Sequence, residues 1–444
     1  MWRRRFTSGS SERGGSREAR ASRAARPGPG GCRKGADCVL FPAPGSLGSL
    51  SPSAMHYLDY AATSAVRPES VAGAVHDFLV NVGASPGRGG YAPSVESGRI
   101  ALRCRRQVAR VMGLPGDPGR IAFMMNATHA LNTAIHGVVG QGDPVVITPF
   151  DHNAVLRPVH ALSTTRGVEI REIPGAPDGT LDLEAAATLL EGARLLVVNA
   201  VSNVLGTILP LPELASLARE RGVLVLVDAA QSAGHLPHHP ASMGAHMVAF
   251  TGHKGLLGPQ GTGGLWVEEG TEVLPFCTGG TGGNSRLREM PATYPDHLEA
   301  GTPNAPGIAG LLAGCQYVLN EGVEVIHARE AALKARLHDG LSGMKGVRVL
   351  SPAAPEGAAL VTLTLDGMEP AEVARRLEDQ WGVLARAGLH CAPEAHRLLG
   401  SRDSGALRLS LGWASSDADV DQALAGVDAI SLSLRTGVPG GIPA

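Results

Sequence analysis

Two ionisable residues 26 positions apart carry the first chemical signal in this sequence. Asp228 ends the apolar run Val223-Leu-Val-Leu-Val-Asp228, and Lys254 follows Met247-Val-Ala-Phe250 within Thr251-Gly-His-Lys254. A carboxylate at the end of a buried valine-rich strand is costly unless it meets a cation or hydrogen-bond donors. A buried ion pair between the two residues is one answer. Pyridoxal phosphate is another: its protonated ring nitrogen needs a carboxylate, and its aldehyde needs a lysine for a Schiff base. Thr128, in Asn126-Ala-Thr-His129, stands where a helix starts, and free N–H groups there favour a phosphate. Thr251 and His253 add donors beside the lysine, and His152 offers a ring to stack on a flat cofactor. Singly, each reads as a cap or a satisfied polar group. As a set they favour the cofactor.

These residues need elements that end together. Short apolar runs at 120–124, 144–148, 195–199, 223–228 and 247–250 predict buried strands, and helical spacing appears at 99–112, 183–190 and 211–220. Such alternation predicts an α/β fold with a large, mostly parallel sheet covered by helices on both faces. Ligands then bind beyond the carboxyl ends of the strands, where Asn126 to His129, His152, Ser202 to Thr207, Asp228 to Gln231 and Thr251 to Lys254 all fall. From Ile308 to Leu341 the pattern changes to two long helices, followed by strands at 347–350 and 360–365 and a helix at 370–380. That predicts a smaller C-terminal α+β domain over 308–434, after a segment and large domain over 55–307. Residues 1–54 have no apolar period and read as a disordered tail or an over-extended start, and 435–444 as a tail.

Composition narrows the function. Residues 1–54 hold ten basic side chains against three acidic ones, so with a chain total of −2 the body is mildly acidic and disfavours nucleic acid as a partner. Aromatics are only 4%, so the core must be built from Ala, Val and Leu. No apolar run approaches the roughly 20 residues that cross a bilayer. Cys32 and Cys38 lie in the basic tail, and Cys104, Cys277, Cys315 and Cys391 in the body form neither a disulfide framework nor a Cys-x-x-Cys metal site. A reduced, cytoplasmic protein without a metal is expected.

Several stretches together resemble the class V aminotransferase-like, fold-type I pyridoxal phosphate enzymes, within them the cysteine desulfurase and selenocysteine lyase group. They are Leu58-Asp-Tyr-Ala-Ala-Thr63, Ser202-Asn-Val-Leu-Gly-Thr207, Val227-Asp-Ala-Ala-Gln231, Gly252-His-Lys-Gly255 with Gly258-Pro-Gln-Gly261, and Glu299-Ala-Gly-Thr-Pro-Asn304. The resemblance runs from about Leu58 to the region of Asp428. It implies that Lys254 forms the Schiff base with pyridoxal 5'-phosphate, that Asp228 pairs with the pyridine nitrogen and that Gln231 hydrogen-bonds the ring hydroxyl. His152 would stack over the ring, Asn203 would sit beside cofactor and substrate, and Thr128, Thr251 and His253 would hold the phosphate. Thr302 matches a threonine that reaches the phosphate of the neighbouring subunit, which implies a homodimer with shared active sites.

Arg386-Ala-Gly-Leu-His-Cys391-Ala-Pro393 resembles the Arg-x-Gly-x-His-Cys-Ala motif of the group II desulfurases. Arg386 can clamp an amino-acid carboxylate with its guanidinium fork. Cys391 can attack the substrate sulfur as a thiolate, favoured by a nearby cation or by His390 if protonated. Cys104 and Cys315, inside helix-like stretches, read as small buried residues, and Cys277 is read as structural. The resemblance implies conversion of L-cysteine to L-alanine, with the sulfur held on Cys391 and passed to an acceptor protein. L-selenocysteine lyase activity is the close variant, and an aminotransferase or lyase with Cys391 as a bystander is the alternative. A dinucleotide-binding dehydrogenase would need a Gly-x-Gly-x-x-Gly turn after an early strand, and would leave Lys254 unexplained. The chain departs from the family pattern at Ala127, His129, Tyr91, Ala387 and Leu389.

Overall fold

The computed structural model describes residues 55–87, 89–237, 239–282, 286–353 and 357–436. The expectations for residues 1–54, with Cys32 and Cys38, and for the tail beyond 436 lie outside them. The strands in chain order are β1 (His56–Tyr57), β2 (Ile121–Met124), β3 (Pro144–Ile147), β4 (Glu169–Glu172), β5 (Leu195–Asn199), β6 (Leu224–Asp228), β7 (Met247–Thr251) and β8 (Gly263–Val267). They are followed by β9 (Val347–Val349), β10 (Leu360–Leu365), β11 (Val383–Leu384), β12 (Arg386–Gly388) and β13 (Ala406–Ser410).

The expected mostly parallel sheet is present, with seven strands in the order β2-β8-β7-β6-β5-β3-β4. Its central strands are runs of Val and Leu with a polar residue only at the last position, as strands covered on both faces require. Side chains alternate across the sheet: Leu195 and Val197 join a cluster with Leu131, Ile135 and Val159, whereas Leu196 and Val198 join one with Leu211 and Leu214. The first cluster includes residues from helices Ala127–Val138 and Asn153–Arg166, the second residues from helix Leu211–Glu220.

The sequence reading missed β8, which runs antiparallel to both β7 and β2. Its opening Gly263-Gly264 carries no apolar strand pattern. A Cβ on Gly264 would lie 2.6 Å from the Phe250 ring and 2.7 Å from the Ala122 carbonyl, so glycine here marks close strand contact.

A second, antiparallel sheet has the order β12-β13-β10-β9. Helices Val323–Ser342, Pro370–Trp381 and Asp417–Thr436 cover it through Leu333, Leu337, Val373, Leu377, Val420 and Val427. The N-terminal segment is tied to this sheet by an Asp59–Ser410 bridge, while β1 and β11 pair in parallel as a separate two-stranded sheet and Leu58 is buried in the same cluster. The two long helices expected after residue 308 are Ala305–Glu321 and Val323–Ser342, parted at Gly322. Gly314 lets the first pass over the turn that follows Lys254, where a Cβ would lie 2.4 Å from the Leu256 carbonyl. Among the described residues no helix is long and apolar enough to cross a membrane.

Candidate active site

The carboxyl ends of β3, β5, β6 and β7 and the start of helix Ala127–Val138 open into one cleft of about 190 Å³. Ten of the residues singled out from sequence line it: Thr128, His152, Asn203, Asp228, Gln231, Thr251, His253, Lys254, Arg386 and Cys391. Thr302 does not. It is exposed in a separate surface hollow with Ser85, Tyr91 and Gly280. Its segment is fixed by Glu299, whose carboxylate accepts from Phe123 N (2.6 Å) and pairs with Arg105. Asn304 then caps helix Ala305–Glu321 through Gly307 N.

Lys254 sits just beyond β7. Ser64 reaches across from the N-terminal segment and donates to the Lys254 carbonyl (3.1 Å), while Gly258 N closes the turn onto Gly252 O (2.7 Å). Burial lowers the Lys254 pKa to about 8; Asp228 opposes this, and the Arg408 and Arg386 charges add to it. Asp228, at the end of β6, accepts from Ala230 N (2.9 Å), and burial raises its pKa. Among the described residues these two groups form no direct ion pair, but both line the cleft and each charge favours the other.

His152 caps helix Asn153–Arg166, its Nδ1 accepting from Ala154 N (3.0 Å), so Nε2 carries the proton of the neutral ring. Burial, then the Lys254 and Arg386 charges, holds its pKa down to about 4. The turn beneath it is set by Asp151, which the sequence reading missed. That buried carboxylate accepts from Thr148 N (2.7 Å) and Asn199 N (3.1 Å), and burial pushes its pKa up to about 8 against those donors. Gln231 Nε2 donates to Ala61 O (3.0 Å). His253 Nδ1 lies 3.1 Å from Thr63 Oγ1, and burial holds its pKa down to about 4.

The other wall comes from the C-terminal sheet. Arg386 on β12 stands opposite Arg408 on β13. Arg408 is only 1% exposed, yet lines the cleft; it donates to Asn203 O (2.9 Å) and pairs with Asp59 (3.0 Å), and its Nε has no partner. The sequence carried a signal for it, a single charge inside Leu407-Arg408-Leu409, which can be buried only if paired. Cys391 follows at the end of the β12 loop, and its carbonyl accepts from Asn153 N (2.7 Å). Both His390 (φ 50°) and Cys391 (φ 59°) adopt left-handed backbone, which costs a non-glycine residue about 1–3 kcal/mol and persists only where neighbours enforce it.

Of the two groups read as able to favour the Cys391 thiolate, His390 or a nearby cation, His390 stays neutral. Its ring turns away to Arg386 O (3.2 Å) and His396 (3.1 Å), and burial, then the Arg408 charge, holds its pKa down to about 3. The permanent charges in this wall are the two guanidiniums. Cys104 and Cys315 are fully buried, and burial pushes the Cys315 pKa up to about 12; Cys277, read as structural, is exposed.

The cleft also holds polar atoms with nothing to bond. Thr251 Oγ1, Asn203 Oδ1 and Asn199 Oδ1 are buried without partners, which is costly unless a polar ligand satisfies them. Thr251 and the helix start at Ala127 line the cleft and suit an anion, and Asp228, Lys254 and the two arginines line it with them.

Comparison with known proteins agrees with this arrangement. The Aminotransferase class-V family model matches residues 56–423. The probable cysteine desulfurase of Pseudomonas aeruginosa is 34% identical over 399 residues, spanning 87% of this chain and 96% of its own. The cysteine desulfurase of Klebsiella pneumoniae is 33% identical over 387 residues, spanning 84% and 93%. Among solved structures, the apo cysteine desulfurase of Thermococcus onnurineus superposes with a TM-score of 0.79 at 31% identity, covering 85% of this chain and 95% of that one. An S-sulfonic acid form of a cysteine desulfurase from Escherichia coli superposes with a TM-score of 0.76 at 26% identity, covering 86% and 96%. With a match over nearly the whole described body and relatives above 30% identity along most of their length, the chain belongs to the class-V aminotransferase family.

Proposed function

We propose that the chain is a pyridoxal phosphate-dependent cysteine desulfurase. The observation that carries this reading is the meeting of Lys254, Asp228 and Cys391 in one cleft, the thiol arriving from a different sheet on an enforced left-handed turn. The residues fit the cofactor. Lys254 would bind its aldehyde, Asp228 its ring nitrogen, Gln231 its hydroxyl, and Thr128, Thr251 and His253 its phosphate, with His152 over the ring. When bound, pyridoxal phosphate supplies an electron sink for the substrate's α-carbon.

The chain's own residues do the rest. Arg386 and Arg408 draw the carboxylate of L-cysteine to the wall they share. The Lys254 amine, freed by burial of much of its proton affinity, takes the α-proton at Nζ and later returns one to the product. Asn203 donates through Nδ2 to His390 O (2.6 Å), which ties the substrate wall to the cysteine loop. The Cys391 thiolate attacks the substrate sulfur: an S–S bond forms, the C–S bond breaks, and its electron pair goes to the carbon that becomes the methyl group of L-alanine. An acceptor thiol must then take the terminal sulfur from Cys391. Such chemistry needs Cys391 as a thiol, which suits the reducing cytoplasm.

We further read the protein as a homodimer. Met125, Leu274 and Phe276 are 61%, 58% and 48% exposed, and Met125 directly precedes the Asn126–Thr128 end of the cleft. A second copy on this face would bury them and bring its Thr302 to the phosphate end.

The test is mass spectrometry of the Cys391 peptide after L-cysteine is added to the cofactor-loaded protein, with alanine measured in parallel. A gain of one sulfur atom on Cys391 together with alanine, both lost in Cys391→Ser, is the expected outcome. Alanine from L-selenocysteine with no adduct would make the protein a selenocysteine lyase. An unchanged turnover of any amino acid in Cys391→Ser would make the thiol a bystander.

A further inference from the structure

The left-handed turn at His390 and Cys391 is held by a one-way chain of hydrogen bonds that leads out of the cleft. His390 Nε2 lies 3.2 Å from Arg386 O, and a carbonyl only accepts, so Nε2 carries the proton. His390 Nδ1 must then accept, and the atom facing it at 3.1 Å is His396 Nε2, which must donate. That leaves His396 Nδ1 as an acceptor, and Ser401 Oγ meets it at 2.8 Å. All four ring nitrogens are used, and moving a proton to His390 Nδ1 would require His396 and Ser401 both to reverse. His396 is fully buried in helix Pro393–Leu398 and does not line the cleft.

The consequence falls on Cys391. The His390 ring folds back onto Arg386 and closes the loop, while Asn203 holds the His390 carbonyl and Asn153 N the Cys391 carbonyl. Without a donor at its Nδ1, the buried His390 ring is left with an unsatisfied acceptor or must give up Arg386 O to rearrange. We infer that His396 is a positioning residue for the sulfur-carrying thiol: with Ser401 behind it, it fixes the tautomer of His390 and so the turn that presents Cys391. This rests on the desulfurase reading for its effect on turnover, but not for its effect on the loop. Burial supports it by holding His390 at about 3 and His396 at about 4, so both rings stay neutral at working pH.

The experiment uses the cofactor-loaded full chain with His396→Ala, His396→Gln and Ser401→Ala. Alanine release is measured as kcat and KM, and alkylation of Cys391 by iodoacetamide is followed by peptide mass relative to exposed Cys277 in the same molecule. In His396→Ala, kcat should fall about 100-fold, as for a reacting group displaced by about an ångström, with KM and the visible cofactor band unchanged. Alkylation of Cys391 should at the same time rise about threefold because the loop opens. These opposite movements separate a lost position from a lost thiol. His396→Gln, which keeps an N–H donor, should recover about a tenth of the wild-type kcat, and Ser401→Ala should lose about tenfold.

Unchanged kcat and alkylation in all three variants would overturn the inference. So would a fall in kcat matched by an equal loss of the cofactor band, the mark of a merely structural residue. If His396→Ala does not fold, His396→Gln and Ser401→Ala carry the same comparison. A wild-type protein that releases no alanine would sink the desulfurase reading, and the alkylation ratio would still decide the role of His396.

Discussion

Lys254 sets the pH behaviour of the site. Its pKa of about 8 leaves about one amine in ten free at pH 7, against fewer than about one in a thousand for an exposed lysine. The free amine is the form that reacts with an aldehyde, so removing the proton increases the rate. Uptake of pyridoxal phosphate by cofactor-free protein, followed by its visible absorbance, should therefore rise with pH through about 8 and then level off. A rate still climbing steeply toward the ordinary lysine value would show that burial does not govern this amine. At this scale the sequence was most legible where a residue's chemistry is costly in an apolar run, as for Asp228 and Lys254. Arg408 obeyed the same rule and was missed because its partner Asp59 lies 349 positions away. The orientation of His390 was not legible at all, because a ring's tautomer depends on partners such as His396 that no local pattern selects.

Elements bring these residues within reach by close packing over the lysine turn. Helix Ala305–Glu321 crosses it at Gly314, and His235, against Gly255, is paired with buried Glu330 of helix Val323–Ser342 (3.1 Å). Alanine in a helix interior is usually better than glycine by about 1 kcal/mol. At Gly314 the added Cβ would meet a backbone carbonyl, and overpacking costs about 1–3 kcal/mol. Gly314→Ala should therefore lower the unfolding temperature and weaken cofactor binding, as read by thermal melts and cofactor titration. A stabilised variant would mean the helix gives way freely. The Val- and Leu-rich strands and the amphipathic helices were legible because burial on two faces or one leaves a strong pattern. The strand β8 was not, because its contacts select glycine and erase that pattern.

At the scale of the molecule, the exposed apolar face at Met125, Leu274 and Phe276 stands beside the cleft. If two copies meet there, sedimentation should show a dimer, and the double change Met125→Glu with Phe276→Glu should give monomers that hold the cofactor less tightly. A monomer in the unaltered protein would sink the dimer reading and leave Thr302 without a role at the site. The alternation of helix and strand made the large sheet legible. The joining of the N-terminal segment to the last sheet was not, since a two-residue strand such as β1 carries no periodic signal.

That joining has a consequence for the newborn chain. Ala61, Ala62 and Arg408 all line the cleft, and Tyr60 N bonds to Ser410 O. A ribosome must therefore have released the segment through β13 before the lysine pocket can close. Chains stopped short of that point would carry Lys254 without the Arg408 charge that helps lower its proton affinity, so fewer of their lysine amines would be free to meet an aldehyde.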